Sequence, residues 1–137
     1  MKEIVIDGKN ATLGRLASYA AKQALLGNKI TIVNCNEVVI TGKPRSIIGE
    51  YREIRQKGSA NLQGPYFPRS PEKIVKRTAR GMLPYRQGRG CEALKRIMCY
   101  NDTPEEYKNV KKMIAGKEKK IKTISLAKLK GEIWKTK

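Results

Sequence analysis

The chain has 137 residues, 39% hydrophobic and 31% charged, with 30 Lys+Arg against 12 Asp+Glu, no histidine and a formal net charge of +18. That length holds one domain with a real core and is short for two, while the apolar content excludes a disordered basic tail. A charge this large repels itself in the compact state, so a partner of opposite sign is the natural reason to keep it.

The charge is unevenly placed. Residues 1–42 carry a net +2, residues 43–99 a net +10 and the remainder a net +6. Nine of the ten arginines lie between Arg45 and Arg96. Arginine offers a planar fork of donors that matches phosphate oxygens and stacks on flat bases, where lysine is mainly a point charge. The middle third therefore reads as a polyanion-binding surface on a more ordinary scaffold, all within one domain spanning 1–137.

In chain order, Ile4, Val5 and Ile6 form a short buried-strand run closed by Asp7 and Gly8. A helix is predicted from about Thr12 to Leu26, because Leu13, Leu16, Ala17, Ala20, Ala21, Ala24 and Leu25 follow helical spacing. Asn10 or Thr12 can cap its start, and Gly27 stands where a left-handed C-terminal cap is wanted. So many alanines on one face imply close packing on a sheet. Residues 30–33 and 38–40 supply further strands. Too few residues separate them for a helical crossover, so local antiparallel pairing is expected.

Thr41, Gly42, Lys43 and Pro44 break the strand and start a helix running to about Gln56, with Pro44 in its first turn. Ile47, Tyr51 and Ile54 line one side of it; Arg45, Arg52 and Arg55 lie on another. Residues 57–69 hold Gly58, Gly64, Pro65 and Pro68 and read as an irregular loop. Ser70, Pro71 and Glu72 then start a helix with a cap, a first-turn proline and an acid near the positive dipole end. Gly81 and Pro84 end it. A helix from about Gly90 to Arg96 and a strand over residues 97–100 follow. In the lysine-rich end, Ile121, Ile124, Leu126, Leu129, Ile133 and Trp134 could dock a last helix capped by Ser125.

The sharpest element is the helix from Pro71 to Gly81. Lys73, Lys76, Arg77 and Arg80 fall within roughly a 100° arc, with Ile74, Val75, Thr78 and Met82 opposite. It can bury one face and present four cations to a phosphate backbone, although a solvated lysine-rich face would look the same. The segment from Pro84 to Gly90 adds Arg86, Arg89 and Tyr85 on what reads as a glycine-hinged loop, suited to an irregular RNA surface. The candidate RNA contacts are Arg45, Arg52, Arg55, Lys57, Arg69, Lys73, Lys76, Arg77, Arg80, Arg86 and Arg89.

Catalytic readings fare poorly. Gly42-Lys43-Pro44 lacks the Ser/Thr and the upstream glycine of a Walker A loop, and no G-x-G-x-x-G follows the first strand. Without histidine, Cys91 has no usual base and the three cysteines, Cys35, Cys91 and Cys99, are too few for zinc. They read as free thiols of a reducing cytosol. No cofactor, metal or small-molecule substrate is expected. The apolar runs are far shorter than the roughly 18 residues that span a bilayer, and the start shows no apolar signal region.

Asp7-Gly8-Lys9-Asn10-Ala11-Thr12-Leu13-Gly14-Arg15-Leu16-Ala17 resembles the opening of the universal large-subunit ribosomal protein L-thirteen family. Val33-Asn34 with Val39-Ile40-Thr41-Gly42-Lys43 is similar to its second block. Arg80-Gly81-Met82-Leu83-Pro84, followed by Gly90, Leu94, Ile97 and Tyr100, is similar to its signature. The stretch from Gly88 to Tyr107 looks more like the archaeal and eukaryotic branch than the bacterial one. The resemblance implies a three-layer α/β/α domain with a small, mainly parallel sheet. It also implies a structural, non-enzymatic role in the large ribosomal subunit of the cytoplasm, binding ribosomal RNA early in assembly beside neighbouring ribosomal proteins. A DNA-binding or chromatin-associated architectural protein is the alternative that the charge alone would permit; it would want a base-reading recognition helix and a dimer seam, and neither is apparent.

Overall fold

A computed structural model describes residues 2–56 and 67–134, with the side chain of Trp134 left out. Its centre is a parallel sheet in the order β4-β2-β1-β5, where β1 is Glu3–Asp7, β2 Lys29–Val33, β4 Ile97–Cys99 and β5 Met113–Ile114. Helices α1 (Leu13–Leu25), α3 (Pro71–Gly81) and α4 (Gly88–Lys95) pack on one another and on this sheet. This is the α/β domain with a mainly parallel sheet that the sequence and the resemblance imply.

Register explains which side of each strand meets the helices. Ile4 and Ile6 lie opposite Ile30 and Ile32 across β1 and β2, and Ile30 opposite Ile97 across β2 and β4. Ile6, Ile30, Ile32 and Ile97 are fully buried in one core with Ala17, Ala20, Ala21 and Ala24 of α1. Alanines let the helix backbone sit close to the sheet, as their spacing predicts. Val5 and Thr31 occupy the opposite face with Met98. Strands β1, β2 and β4 step across the sheet in one direction, whereas the chain from β4 to β5 returns. A right-handed return carries it over the other face, and Tyr107 of that segment donates a 3.2 Å hydrogen bond to Glu3, on that same face. That segment bears one short 3-10 turn, Glu105–Tyr107.

β3 (Val39–Thr41) does not pair with β2. A 3-10 turn (Cys35–Glu37) follows Asn34 in the left-handed conformation (φ 57°) and redirects the chain, so β3 pairs antiparallel with β6 (Thr123–Ser125) in a separate two-stranded sheet. Local sequence separation suggested the wrong partner because the true one lies more than eighty residues away. β6 runs into α5 (Leu126–Trp134), where Ser125 Oγ accepts the Lys128 N–H at 3.3 Å, the expected cap. Ile124, Leu126, Leu129 and Ile133 are buried, whereas Ile121 is exposed. The packing expected of Trp134 lies outside what is described.

At the start of α1, Thr12 is the cap residue but makes no side-chain bond, and Asn10 instead takes the left-handed conformation at φ 58°. Gly27 has the predicted positive φ, 97°. Asp7 closes the strand ends: its carboxylate accepts the Lys9 N–H and the Asn34 side-chain amide, each at 3.0 Å. Thr31 carries the one buried side-chain oxygen among the described residues with no hydrogen-bond partner.

Candidate nucleic-acid interface

Helix α3 forms as its sequence dictates, with Pro71 in the first turn and Glu72 near the positive end. Its cap differs from expectation. The Ser70 hydroxyl donates to the Glu72 carboxylate at 3.2 Å, and Asn101 Oδ1 accepts the Glu72 N–H at 3.0 Å, so the segment after β4 satisfies the helix start. Ile74, Val75 and Ala79 are fully buried, and α3 packs against α1. Met82 was expected on this buried side, yet it is 45% exposed; it stands beyond the last helical turn, where the 100° step no longer applies, and Leu83 turns inward instead.

The opposite side of α3 brings Lys73, Lys76, Arg77 and Arg80 to one shallow cleft of about 290 Å³, closed by Pro68 and by Leu94 of α4. Two of its guanidiniums lie over rings: Arg77 is 5.2 Å from the Phe67 centroid and Arg80 is 5.0 Å from that of Tyr85. Phe67 is in turn held edge-on against Tyr51 at 5.2 Å. Each such contact is worth about 0.5–1 kcal/mol at an exposed site. Held this way, a long side chain has less rotamer freedom to lose when it grips a phosphate. Among the described residues no acid lines the cleft, and Lys73, Lys76 and Arg80 make no ion pair.

The segment from Pro84 to Gly90 is a built turn rather than a glycine hinge. Tyr85 N–H donates to Leu83 O at 2.8 Å and Gln87 N–H to Pro84 O at 2.9 Å, after which α4 begins at Gly88. Gly90 is buried, and a Cβ there would overlap the Pro84 carbonyl, so this glycine serves a close approach of backbone. The turn holds Arg86 5.8 Å from the Tyr85 centroid, so Arg80 and Arg86 share one ring. Arg89 is exposed, with Nε donating to Gln87 at 3.3 Å.

The arginines of α2 (Pro44–Gln56) part company. Arg45 is exposed in the first turn. Arg52 serves the fold: its Nη2 donates to the Glu132 backbone oxygen at 2.8 Å and lies 3.9 Å from that residue's carboxylate, tying down the end of α5. Desolvation, and then the Arg69 guanidinium, lower the Arg55 pKa from its ordinary value. Lys57 lies outside the described residues, as does most of the loop expected over 57–69. Arg96 bonds the Ala24 backbone oxygen at 3.0 Å and closes the end of α1.

Sequence reasoning missed Phe67 as the support of Arg77, although an aromatic beside Pro68 was a signal. It also missed a second basic cleft where Arg15 and Tyr19 of α1 meet Lys117 and Lys119. The i, i+4 spacing of Arg15 and Tyr19 was visible; the approach of the lysines was not. The three cysteines are free: Cys91 is exposed, and the neighbouring Cys99 thiol together with burial pushes the Cys35 thiol pKa up. Among the described residues no group of three or more His, Cys, Asp or Glu could hold a metal, and no helix is long and apolar enough to cross a membrane.

The helical layer of this small α/β domain thus carries a cleft lined by four cations, two of them held over rings. Residues 1–106 match the family model described as ribosomal protein L13, and the chain belongs to that family. It is 49% identical to the large ribosomal subunit protein uL13 of Methanosarcina barkeri over 106 residues, which covers 77% of this chain and 75% of the relative. The protein of the same name from Methanocaldococcus jannaschii is 47% identical over 128 residues, covering 91% and 93% of the two chains. That of Picrophilus torridus is 43% identical over 120 residues, 86% of each. These relatives are archaeal, in line with the branch that the stretch from Gly88 to Tyr107 resembles.

Proposed function

We propose that the chain is a structural, non-enzymatic constituent of the large ribosomal subunit in the cytoplasm, where it binds ribosomal RNA and supports subunit assembly beside neighbouring proteins. Membership of the L13 family and the names of its relatives support the ribosomal part. The observation that carries the RNA part is the cleft of α3, with four cations, two of them on rings, and no acid in its lining. In this reading Lys73, Lys76, Arg77, Arg80 and Arg86 grip phosphates and offer guanidinium planes to unstacked bases. Arg45, Arg55, Arg69 and Arg89 extend the contact, and Lys57 is assigned to it on charge alone. Arg52 contributes through the placement of α5.

Sedimentation of a lysate carrying the tagged chain tests the assignment. At low salt the chain should travel with the large subunit, and it should be released only when high salt dissolves the subunit core. Migration with DNA, or at the top of the gradient with free proteins, would refute the ribosomal reading.

A further inference from the structure

The sheet order β4-β2-β1-β5 reverses direction at β1, since β2 lies on one side of it and β5 on the other. In open parallel sheets, ligands bind in the crevice outside the carboxyl ends of the strands at such a reversal. On the β5 side of that reversal lies a cleft of about 310 Å³, between α1, β5 and the segment that follows it. It shares no lining residue with the cleft of α3.

Its chemistry is specific. Thr12, Arg15 and Tyr19 lie along one stripe of α1, and Lys117 and Lys119 face them from the segment after β5. Among the described residues no acid lines it; Glu118, between the lysines in sequence, is exposed and outside the lining. Among the described residues none of the three cations makes an ion pair. The backbone bearing the lysines passes close to the start of α1 at Gly116, where a Cβ would overlap the Lys9 backbone oxygen and the backbone of Asn10 and Ala11. Tyr19 is 36% exposed and supplies a ring in the cleft wall.

We propose that this crevice is a second RNA-contact site that takes one nucleotide of a single strand. Arg15, Lys117 and Lys119 hold its phosphate, the Thr12 hydroxyl donates to a phosphate oxygen, and Tyr19 stacks on the base. With the cleft of α3 on another flank, one molecule then bridges two RNA segments. The inference rests on the reading of the chain as an RNA-binding subunit protein. It adds a site separate from the arginine-rich middle and gives the lysine-rich end a role.

Binding stoichiometry tests it, with the full chain and a short single-stranded RNA too small to reach both clefts. The wild-type chain should bind two strands, and Arg15→Ala/Lys117→Ala and Arg77→Ala/Arg80→Ala should each bind one. Tyr19→Ala should weaken the site retained by Arg77→Ala/Arg80→Ala roughly five- to 150-fold, the equivalent of one stacked base, while Tyr19→Phe should not. Circular dichroism should be unchanged in all of them. One strand per wild-type chain, unaffected by Arg15→Ala/Lys117→Ala, would overturn the second site and leave the RNA reading intact. No strand bound to any variant or to wild type would overturn that reading itself. Binding of ATP that requires Arg15 and Lys117, without binding of the RNA strand there, would overturn RNA as the occupant in favour of a free nucleotide.

Discussion

Replacing Arg77 and Arg80 by alanine separates binding from folding at the cleft of α3. Both side chains are partly buried on the side of α3 away from Ile74, Val75 and Ala79. Each lies over a ring, at 5.2 Å and 5.0 Å. Loss of two such contacts costs about 1–2 kcal/mol of stability at exposed sites, partly offset as the self-repulsion of a +18 chain eases. For a domain of this size 1 kcal/mol moves Tm by roughly 3–5 °C, so the fold should survive with a modest loss. Binding should suffer more. Charge-assisted hydrogen bonds are worth about 1.5–3 kcal/mol each before solvent screening, so the pair should cost roughly 1–3 kcal/mol, or about five- to 150-fold in Kd. Arg77→Lys/Arg80→Lys should recover only part of this, because lysine lacks the planar fork. The control is Ile74→Ala, which opens a cavity in a fully buried site and should cost about 2–5 kcal/mol of stability. Filter binding and thermal melts on these variants decide the matter. A double alanine variant that melts as early as Ile74→Ala, yet binds normally once folded, would show that the arginines are structural.

Three further substitutions probe the scaffold. Thr31→Val removes a buried hydroxyl that has no partner, and should raise stability by about 1–2 kcal/mol, read as a higher Tm; a lower Tm would mean that the hydroxyl is satisfied. Ala21→Asp places an unpaired carboxylate at a site 3% exposed, costs several kcal/mol and should abolish the helical circular dichroism. Gly90→Ala drives a methyl group into the Pro84 carbonyl, so it should cost at least about 1–3 kcal/mol in the melt and, by displacing Tyr85 and Arg86, weaken RNA binding too.

What was legible in the sequence was whatever a local period could encode. The alanine face of α1, the proline start of α3, the Ser125 cap of α5 and the four-cation stripe all follow from spacing within one helix. Long-range pairing was not encoded locally. The antiparallel partner of β3 comes from near the end of the chain, and Asn101 rather than the Ser70 hydroxyl accepts the Glu72 N–H in the first turn of α3. The site followed the same division. Helical phase grouped Lys73 with Arg80, but composition could not tell that Arg52 is drawn to α5 or that Gly90 packs on Pro84 instead of serving as a hinge. A charge count likewise could not bring Lys117 beside Arg15, since only the β1 and β5 pairing does that.

The central claim is that the cationic surface binds the phosphates of ribosomal RNA, and a salt titration of that binding tests it most directly. If about six to ten phosphates are neutralised, affinity should fall by roughly 10³–10⁵ between 50 and 200 mM salt, taking the slope for duplex nucleic acid as the guide. The Arg77→Ala/Arg80→Ala variant should then show a shallower slope than wild type. A nearly flat titration, with the same slope for both chains, would contradict the account.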